Sequence, residues 1–318
     1  MGHLALKLIL GVPQGSILGP ILFNIFINDL LLFIDESKIC NFADDNTLSD
    51  SDYSIQGLVA KLKVSADIAI TWFNNNSMLA NPAKFQFLII GDNSGSKIDI
   101  VIDGITIQNT ETVKLLGVTF DSKLSFIPQA ESMCQTVNAR TNALNRIRSG
   151  LDLQKATRLG NSFILSIFNY CPLIWMFCSK TANHLINTSH KRALRVILDD
   201  FSIPFEEALD LTGSKYLHSR NLELLMFEVF KSLNSLNPTF MAEIFVNKVT
   251  PYSFRNGGVL IPPKIDHNIQ FTSLNSLELR AKLAWNKIPK VLKDCQNIVT
   301  FKSDIKPVNI YCQCKICG

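Results

Sequence analysis

The sequence has few features of secreted or repetitive proteins. Its opening residues, MGHLALKLIL, carry His3 and Lys7 within a short apolar run and no small-residue cleavage site, which is not the pattern of a secretory signal. It contains no internal repeat and no low-complexity tract. We therefore expect a folded protein with reduced thiols, because a chain of 318 residues can bury a large core without using its eight cysteines for disulfides.

Long apolar runs free of polar side chains are also lacking. The two longest runs, 17–34 and 159–178, are interrupted by Asn24, Asn28 and Asp29 and by Asn161, Asn169 and Pro172. Such groups are costly in lipid, so we predict buried helices and no membrane insertion. A membrane protein built on these two runs is the alternative interpretation.

Charged side chains are scarce, at 18% of residues, and they are unevenly distributed. Residues 1–60 carry two basic side chains against seven acidic ones, whereas 134–198 carry nine basic against one acidic. An acidic block can hold divalent cations, and a basic block can hold a polyanion. Two oppositely charged solvated surfaces remain the alternative interpretation.

Apolar spacing predicts an α+β architecture. The first part of the chain should contain a helix ending near Phe33, strands around a turn in 39–49, a helix from Leu58 to Phe73, and strands at 85–90, 98–107 and 113–121. Asp103–Gly104 is a strong hairpin signal. The pattern becomes helical from Pro128, and a stretch rich in Pro and Gly after Pro238 predicts loops.

Two short motifs point to chemistry. Phe42-Ala-Asp-Asp45 lies between two predicted strands, where adjacent acids repel unless a cation such as Mg²⁺ neutralises them. Gly11–Pro20 (GVPQGSILGP) precedes it; Gly15 leaves room for a backbone or nucleic acid strand, and Gln14 offers a donor and an acceptor. An exposed polar turn and an ordinary Gly/Pro loop are the alternatives.

Together these motifs resemble the reverse transcriptases of non-LTR (LINE-type) retrotransposons. GVPQGSILGPILFNIFINDL resembles the motif that contacts template and nucleotide, and FADD resembles the catalytic turn. Trp72–Lys84 resembles the segment whose lysine is a candidate general acid, and Val113–Asp121 resembles the primer-grip strand and turn. The similarity continues at Asn275–Pro289 and in the CQCKIC tail, so it extends over nearly all of the chain.

This resemblance implies an RNA-directed DNA polymerase that works by two-metal nucleotidyl transfer. Its partners would be an RNA template, a DNA primer and deoxynucleotide triphosphates, and its location the cytoplasm and nucleus, as a ribonucleoprotein. The implied metal ligands are Asp44 and Asp45, with Mg²⁺ as the ion and Lys84 as a further catalytic residue. The implied contacts are Gln14, Gly15 and Phe42 for nucleotide and template, Leu116 and Gly117 for the primer, and Arg140, Arg146 and Arg148 for the nucleic-acid backbone.

The resemblance also implies three regions: a partial polymerase palm at 1–121, a helical thumb-like region at 122–200, and a helical, loop-rich C-terminal region with a Cys tail at 201–318. The family's first catalytic Asp lies upstream of the Gly-rich loop, and no Asp or Glu precedes Asp29 here. We therefore expect an incomplete metal site and a polypeptide that is inactive alone. A non-catalytic nucleic-acid-binding remnant or domesticated pseudogene product is the alternative.

The tail Cys312-x-Cys314-x-x-Cys317 has spacing that zinc sites use. Its three thiols lack an obvious fourth ligand, although Cys295 or His267 could serve. We favour a tail without fixed structure over a zinc site.

Overall fold

The computed structural model describes Gly11, residues 15–34, 38–92, 95–245, 260–263 and 276–310, and Cys312, Cys314 and Ile316. The chain divides into two compact units. The first comprises Met1–Ile89 and Asn93–Thr110, and the second comprises Ile90–Asp92 and Glu111–Gly318. Each unit has hydrophobic clusters of its own.

The first unit mixes helices with two antiparallel hairpins, as an α+β fold does. Its elements in chain order are helix α1 (Gly19–Ile27), strands β1 (Lys38–Phe42) and β2 (Asp45–Ser49), helix α2 (Ile55–Asn75), and strands β3 (Asp99–Ile102) and β4 (Ile105–Gln108). Strand β1 pairs with β2, and β3 pairs with β4. The predicted hairpin around Asp103–Gly104 is confirmed, because the two residues form the turn between β3 and β4.

Helix α2 confirms the helix that apolar spacing predicts. It begins after Ser54, whose hydroxyl accepts a hydrogen bond from the Gly57 amide at 3.0 Å, as a favourable N-cap does. One face buries Ala69 and Trp72 with Ile27, Leu30 and Ile34. Helix α2 therefore anchors the segment that leads to the β1–β2 hairpin.

Two predictions for the first unit are wrong. Residues 85–90 form no strand; their one strand-like contact is a single bridge between Phe87 and Asn109. The side chains of Phe87 and Ile89 pack against α2, so the apolar run reflects burial against a helix and not pairing with another strand. The run 17–34 is not a buried helix. Ile21 and Ile25 of α1 are 53% and 68% exposed. The prediction failed because an apolar pattern does not show whether another part of the protein covers the helix.

The second unit opens with one hairpin and continues as helices. Its elements are strands β5 (Thr112–Leu115) and β6 (Val118–Asp121), and helices α3 (Ile127–Ile147), α4 (Leu153–Leu159), α5 (Pro172–Trp175), α6 (Lys180–Leu198), α7 (Phe205–Thr212), α8 (Leu217–Leu233), α9 (Thr239–Phe245), α10 (Leu277–Lys287), α11 (Lys290–Lys293) and α12 (Ile298–Asp304). A π-helical turn at Gly160–Ile164 and a 3₁₀ turn at Leu165–Asn169 interrupt the second apolar run, for which we predicted a buried helix.

Two hydrophobic clusters stabilise this unit. The first lies between α3 and α6 and includes Val118 of β6. The second lies between α8, α10 and α12, where the rings of Phe230 and Phe301 stack with centroids 4.4 Å apart. The β5–β6 hairpin therefore belongs to the same compact unit as the helices that follow it.

The described residues after 200 are mainly helical. Much of the Pro- and Gly-rich stretch for which we predicted loops, 246–259, lies outside the described residues. Among the residues that the structure describes, no helix is long and apolar enough to cross a membrane.

Candidate functional site

The tip of the β1–β2 hairpin is a two-residue turn made by Ala43 and Asp44. The last cross-strand pair is Phe42 with Asp45, so the turn is as tight as a hairpin allows. Ala43 has φ +52°, in the left-handed region that favours glycine. Such a backbone costs an ordinary residue about 1–3 kcal/mol and persists where the surrounding structure holds it, often at functional sites.

This tip exposes two neighbouring carboxylates. Asp44 and Asp45 are both exposed, and Phe42 beside them is 63% exposed. The Asn46 side-chain amide donates to the Asp44 backbone carbonyl at 3.1 Å, so this hydrogen bond of the turn does not use the Asp44 carboxylate. Adjacent carboxylate oxygens suit a hard divalent cation that shares its coordination with phosphate oxygens.

The carboxylate pair has no third companion in the described part of the chain. No group of three His, Cys, Asp or Glu ligand atoms there includes Asp44 or Asp45. A cation at the tip would therefore depend on water, substrate or further groups for most of its ligands.

Strand β1 carries a second unusual feature. Both polar atoms of the Asn41 amide are buried and have no hydrogen-bond partner among the described residues. A buried amide without partners costs about 1–3 kcal/mol. Asn41 lies next to Phe42 in sequence, so the unsatisfied amide adjoins the hairpin tip.

The other first-unit residues singled out by the sequence are not joined to this tip. Lys84 is exposed at the end of a 3₁₀ turn, Pro82–Lys84, whose start is capped by Asn81. Gly15 is exposed with φ +80°, and Gln14 lies outside the described residues. Within the described ranges, no hydrogen bond or ion pair links Lys84 or Gly15 to Asp44.

Leu116 and Gly117 form the turn between β5 and β6. Both have positive φ, +46° and +84°, the geometry of a tight hairpin turn that matches strand twist. The Tyr170 hydroxyl donates a hydrogen bond to the Leu116 carbonyl, and a Cβ at Gly117 would lie 3.4 Å from the Tyr170 ring. Tyr170 thus fixes the predicted primer-grip turn, a role that no local sequence signal indicates.

Asp121, the last residue of the same motif, has a structural role. Its carboxylate accepts hydrogen bonds from the amides of Ser125 at 2.9 Å and Phe126 at 2.7 Å. Phe126 has φ +55° immediately before α3, so the buried carboxylate holds the chain in a left-handed turn where the helix begins.

We expect Asp121→Ala to lower the free energy of unfolding by about 2–3 kcal/mol, because two amides lose a charged acceptor in a buried site. Urea denaturation followed by circular dichroism would measure the loss. Glu111→Ala is the control, since this exposed residue should change stability by no more than about 0.5 kcal/mol. Equal effects of the two substitutions would contradict the structural role of Asp121.

The three arginines of the basic stretch differ sharply in environment. Arg146 is exposed, and Arg140, also exposed, donates to the Phe163 carbonyl at 2.6 Å. Arg148 is 8% exposed and donates from Nε to the Ile197 carbonyl at 2.9 Å and from Nη1 to the Leu151 carbonyl at 2.7 Å. The prediction that Arg148 contacts the nucleic-acid backbone is therefore corrected, because its guanidinium ties together backbone segments of the helical core.

The Cys tail also differs from expectation. Cys312 and Cys314 are buried rather than part of a segment without fixed structure, and Cys317 lies outside the described residues. His218 of α8 lies beside their sulfurs, and these three side chains could together hold a metal ion. Neither Cys295 nor His267, the companions that the sequence suggested, is in this group; His267 lies outside the described residues.

Comparison with known proteins bears on the hairpin tip and its surroundings. Residues 5–120 match the family described as reverse transcriptase (RNA-dependent DNA polymerase). These residues are therefore similar to reverse transcriptases. The matched segment contains Gly15, Asp44, Asp45, Lys84 and the Leu116–Gly117 turn.

Curated relatives carry the same description. The chain is 27% identical over 197 residues to an RNA-directed DNA polymerase from mobile element jockey of Drosophila melanogaster, and 25% identical over 201 residues to a probable RNA-directed DNA polymerase from transposon BS of the same fly. Each alignment covers 59% of this chain and 22% of the relative, so the matched part is about a fifth of those proteins. These findings confirm the resemblance to non-LTR reverse transcriptases. No solved structure matches the chain.

Proposed function

We propose that the first unit is part of the palm of an RNA-directed DNA polymerase, with Asp44 at its centre. The observation that carries this proposal is the exposed carboxylate pair Asp44–Asp45, which a tight hairpin turn presents inside the segment that matches reverse transcriptases. Neighbouring carboxylates at an exposed tip repel each other unless a cation neutralises them. The unsatisfied amide of Asn41 on the same strand is a second sign that a further group packs or binds here.

In this proposal each side chain has a defined task. The carboxylates of Asp44 and Asp45 hold divalent cations, with Mg²⁺ as the proposed ion. When bound, the cations would activate the primer 3′ hydroxyl and stabilise the leaving oxygen. Phe42, with Gln14 and Gly15, contacts the incoming nucleotide and template. Lys84 gives a proton to the departing pyrophosphate.

The proposed partners follow from the same reaction. They are an RNA template, a DNA primer and deoxynucleotide triphosphates, and the proposed location is the cytoplasm and nucleus as a ribonucleoprotein. Leu116 and Gly117 would contact the primer end, where the hydrogen bond from Tyr170 keeps the turn rigid. The helices α3 to α6, within residues 122–200, would form a thumb-like region that holds the duplex.

We further propose that the 318-residue polypeptide alone does not catalyse extension, because the described residues bring no third ligand to the Asp44–Asp45 pair. Without catalysis, the polypeptide would act as a nucleic-acid-binding module, which is the second candidate function. The test compares this polypeptide with a chimaera in which residues 5–120 replace the matching segment of the jockey polymerase. The chimaera should extend a DNA primer on an RNA template only with added Mg²⁺, and the polypeptide should not.

The jockey polymerase with its own segment is the reference for this assay. Extension by the 318-residue polypeptide above background would contradict the proposed inactivity. A folded chimaera that binds primer–template and yet fails to extend it would count against the palm assignment.

Duplex binding by the thumb-like region should depend strongly on salt. Affinity should fall about tenfold or more from low to physiological salt if several cations contact phosphates. Replacing the exposed Arg146 and Arg158 by Gln should reduce the slope of log affinity against log salt by up to about 2. Fluorescence anisotropy of a labelled duplex would measure both quantities.

The control for this pair is the exposed Lys290→Gln, which also removes a positive charge from the second unit. It should leave the slope nearly unchanged. Two results would argue against a thumb-like role. One is an affinity that does not depend on salt. The other is a slope of log affinity against log salt that Lys290→Gln reduces as much, per charge removed, as the arginine substitutions do.

A further inference from the structure

A histidine and two cysteines from distant parts of the sequence meet in the second unit. His218 is in the first turn of α8, and Cys312 and Cys314 follow α12. The His218 Nε2 atom lies 3.3 Å from the Cys314 Sγ and 3.6 Å from the Cys312 Sγ. All three potential ligand atoms lie within 4.8 Å of one another, and no other such group of three occurs in the described ranges.

The histidine ring is oriented as a metal ligand requires. Its Nδ1 lies 3.1 Å from the Met176 carbonyl oxygen, which can only accept a hydrogen bond, so Nδ1 carries the proton. The lone pair of Nε2 then faces the two sulfurs. Metal-binding histidines commonly donate their second ring N–H to a carbonyl in this way, which fixes both tautomer and orientation.

The sulfur side of the group is buried and surrounded by donors. Cys312 is fully buried and Cys314 is 2% exposed. The Ile316 amide donates to the Cys314 Sγ at 3.4 Å, and the buried Arg280 guanidinium donates to the Cys312 carbonyl at 3.4 Å. An amide that donates to the sulfur favours the thiolate, the form in which cysteine binds a metal.

The spacing of the ligand atoms matches tetrahedral zinc. Bonds of about 2.3 Å to sulfur and about 2.05 Å to nitrogen, at the tetrahedral angle, place the two atoms about 3.6 Å apart. The observed separations of 3.3 and 3.6 Å lie close to this value. Hard cations prefer oxygen ligands, so one imidazole and two thiolates select a softer ion.

We propose that His218, Cys312 and Cys314 bind a zinc ion that fastens the segment after α12 to the start of α8. Three protein ligands leave one tetrahedral position for water or a further thiolate. The ion would be structural, since it would join two segments of the core that contains α8, α10 and α12. Neither the palm nor duplex binding by the thumb-like region requires this site, so it can be tested independently of the proposed polymerase function.

The test uses the full 318-residue chain, stripped of metal with a chelator and titrated with zinc alone. We expect one zinc per chain and a rise in the melting temperature. Cobalt, as a spectroscopic substitute for zinc, should give the charge-transfer absorption of thiolate ligands. His218→Asn, Cys312→Ser and Cys314→Ser should each weaken zinc binding by about tenfold to a hundredfold or more.

The matched control is Cys295→Ser, a half-buried cysteine that packs against the same core but is not in the ligand group. It should bind zinc within about twofold of the unmodified chain. Circular dichroism of the metal-free variants shows whether each one keeps its helix content. If one of the two cysteine-to-serine variants loses helix, the cobalt spectrum of the other, folded one tests whether its cysteine is a metal ligand. Any one of three results would overturn the proposal: the control and ligand variants bind zinc equally well, cobalt gives no thiolate absorption, or the unmodified chain binds no zinc.

Discussion

Asp44→Asn in the chimaera should abolish primer extension while leaving duplex binding within a few fold. Asn preserves the size of the side chain and suits the turn as well as Asp does, but it removes the charge that would bind a divalent cation. Metal-ion stabilisation of the reacting oxygens contributes several kcal/mol, so extension should slow by about a hundredfold or more. Primer extension across a Mg²⁺ titration, with binding measured in parallel, gives the answer.

A matched control is available in the same unit. Asp103 is also an exposed aspartate in a two-residue hairpin turn, between β3 and β4, and Asp103→Asn should leave extension unchanged. Asp45→Asn should slow extension less than Asp44→Asn, because Asp45 only assists in the proposed site. Near-normal turnover by the Asp44 variant would make the tip an ordinary polar turn.

Phe301→Ala should be among the most destabilising substitutions in the chain. Phe301 is fully buried in α12, stacks on Phe230 and lies 5.9 Å, between ring centroids, from Trp285. Removing a ring from such a site leaves a cavity and costs about 3–5 kcal/mol. The measurement is the free energy of unfolding from urea denaturation.

Val299→Ala on the same helix is the comparison, since Val299 is 72% exposed and should change stability by less than about 0.5 kcal/mol. A loss below about 1 kcal/mol for Phe301→Ala would mean that α12 is not an integral part of this core.

Local patterns in the sequence were sufficient to predict several elements near the candidate site. The turn at Asp44, helix α2 and the hairpin at Asp103–Gly104 all depend on residues close together in the chain, where period and turn chemistry act directly. The motif order then indicated the resemblance to reverse transcriptases, which the match over residues 5–120 confirms. The catalytic roles of these residues remain predictions.

Features that depend on distant partners could not be predicted. The Tyr170 hydroxyl reaches Leu116 across 54 residues, and His218 reaches the Cys tail across more than 90. The exposure of α1 was missed for the same reason, because hydropathy describes a helix and not what packs against it. A count of basic residues likewise could not show that Arg148 lies inside the core.

The buried guanidinium of Arg148 changes how substitutions in the basic stretch should be interpreted. At a phosphate contact, Lys can replace Arg at modest cost, because either cation neutralises the anion. At residue 148 the side chain donates from two nitrogens to two carbonyls, a geometry that the single ammonium of Lys does not reproduce. Sequence drift between Arg and Lys should therefore be tolerated at residue 146 and rejected at residue 148, so an arginine retained at residue 148 would reflect selection for folding and not for nucleic-acid binding.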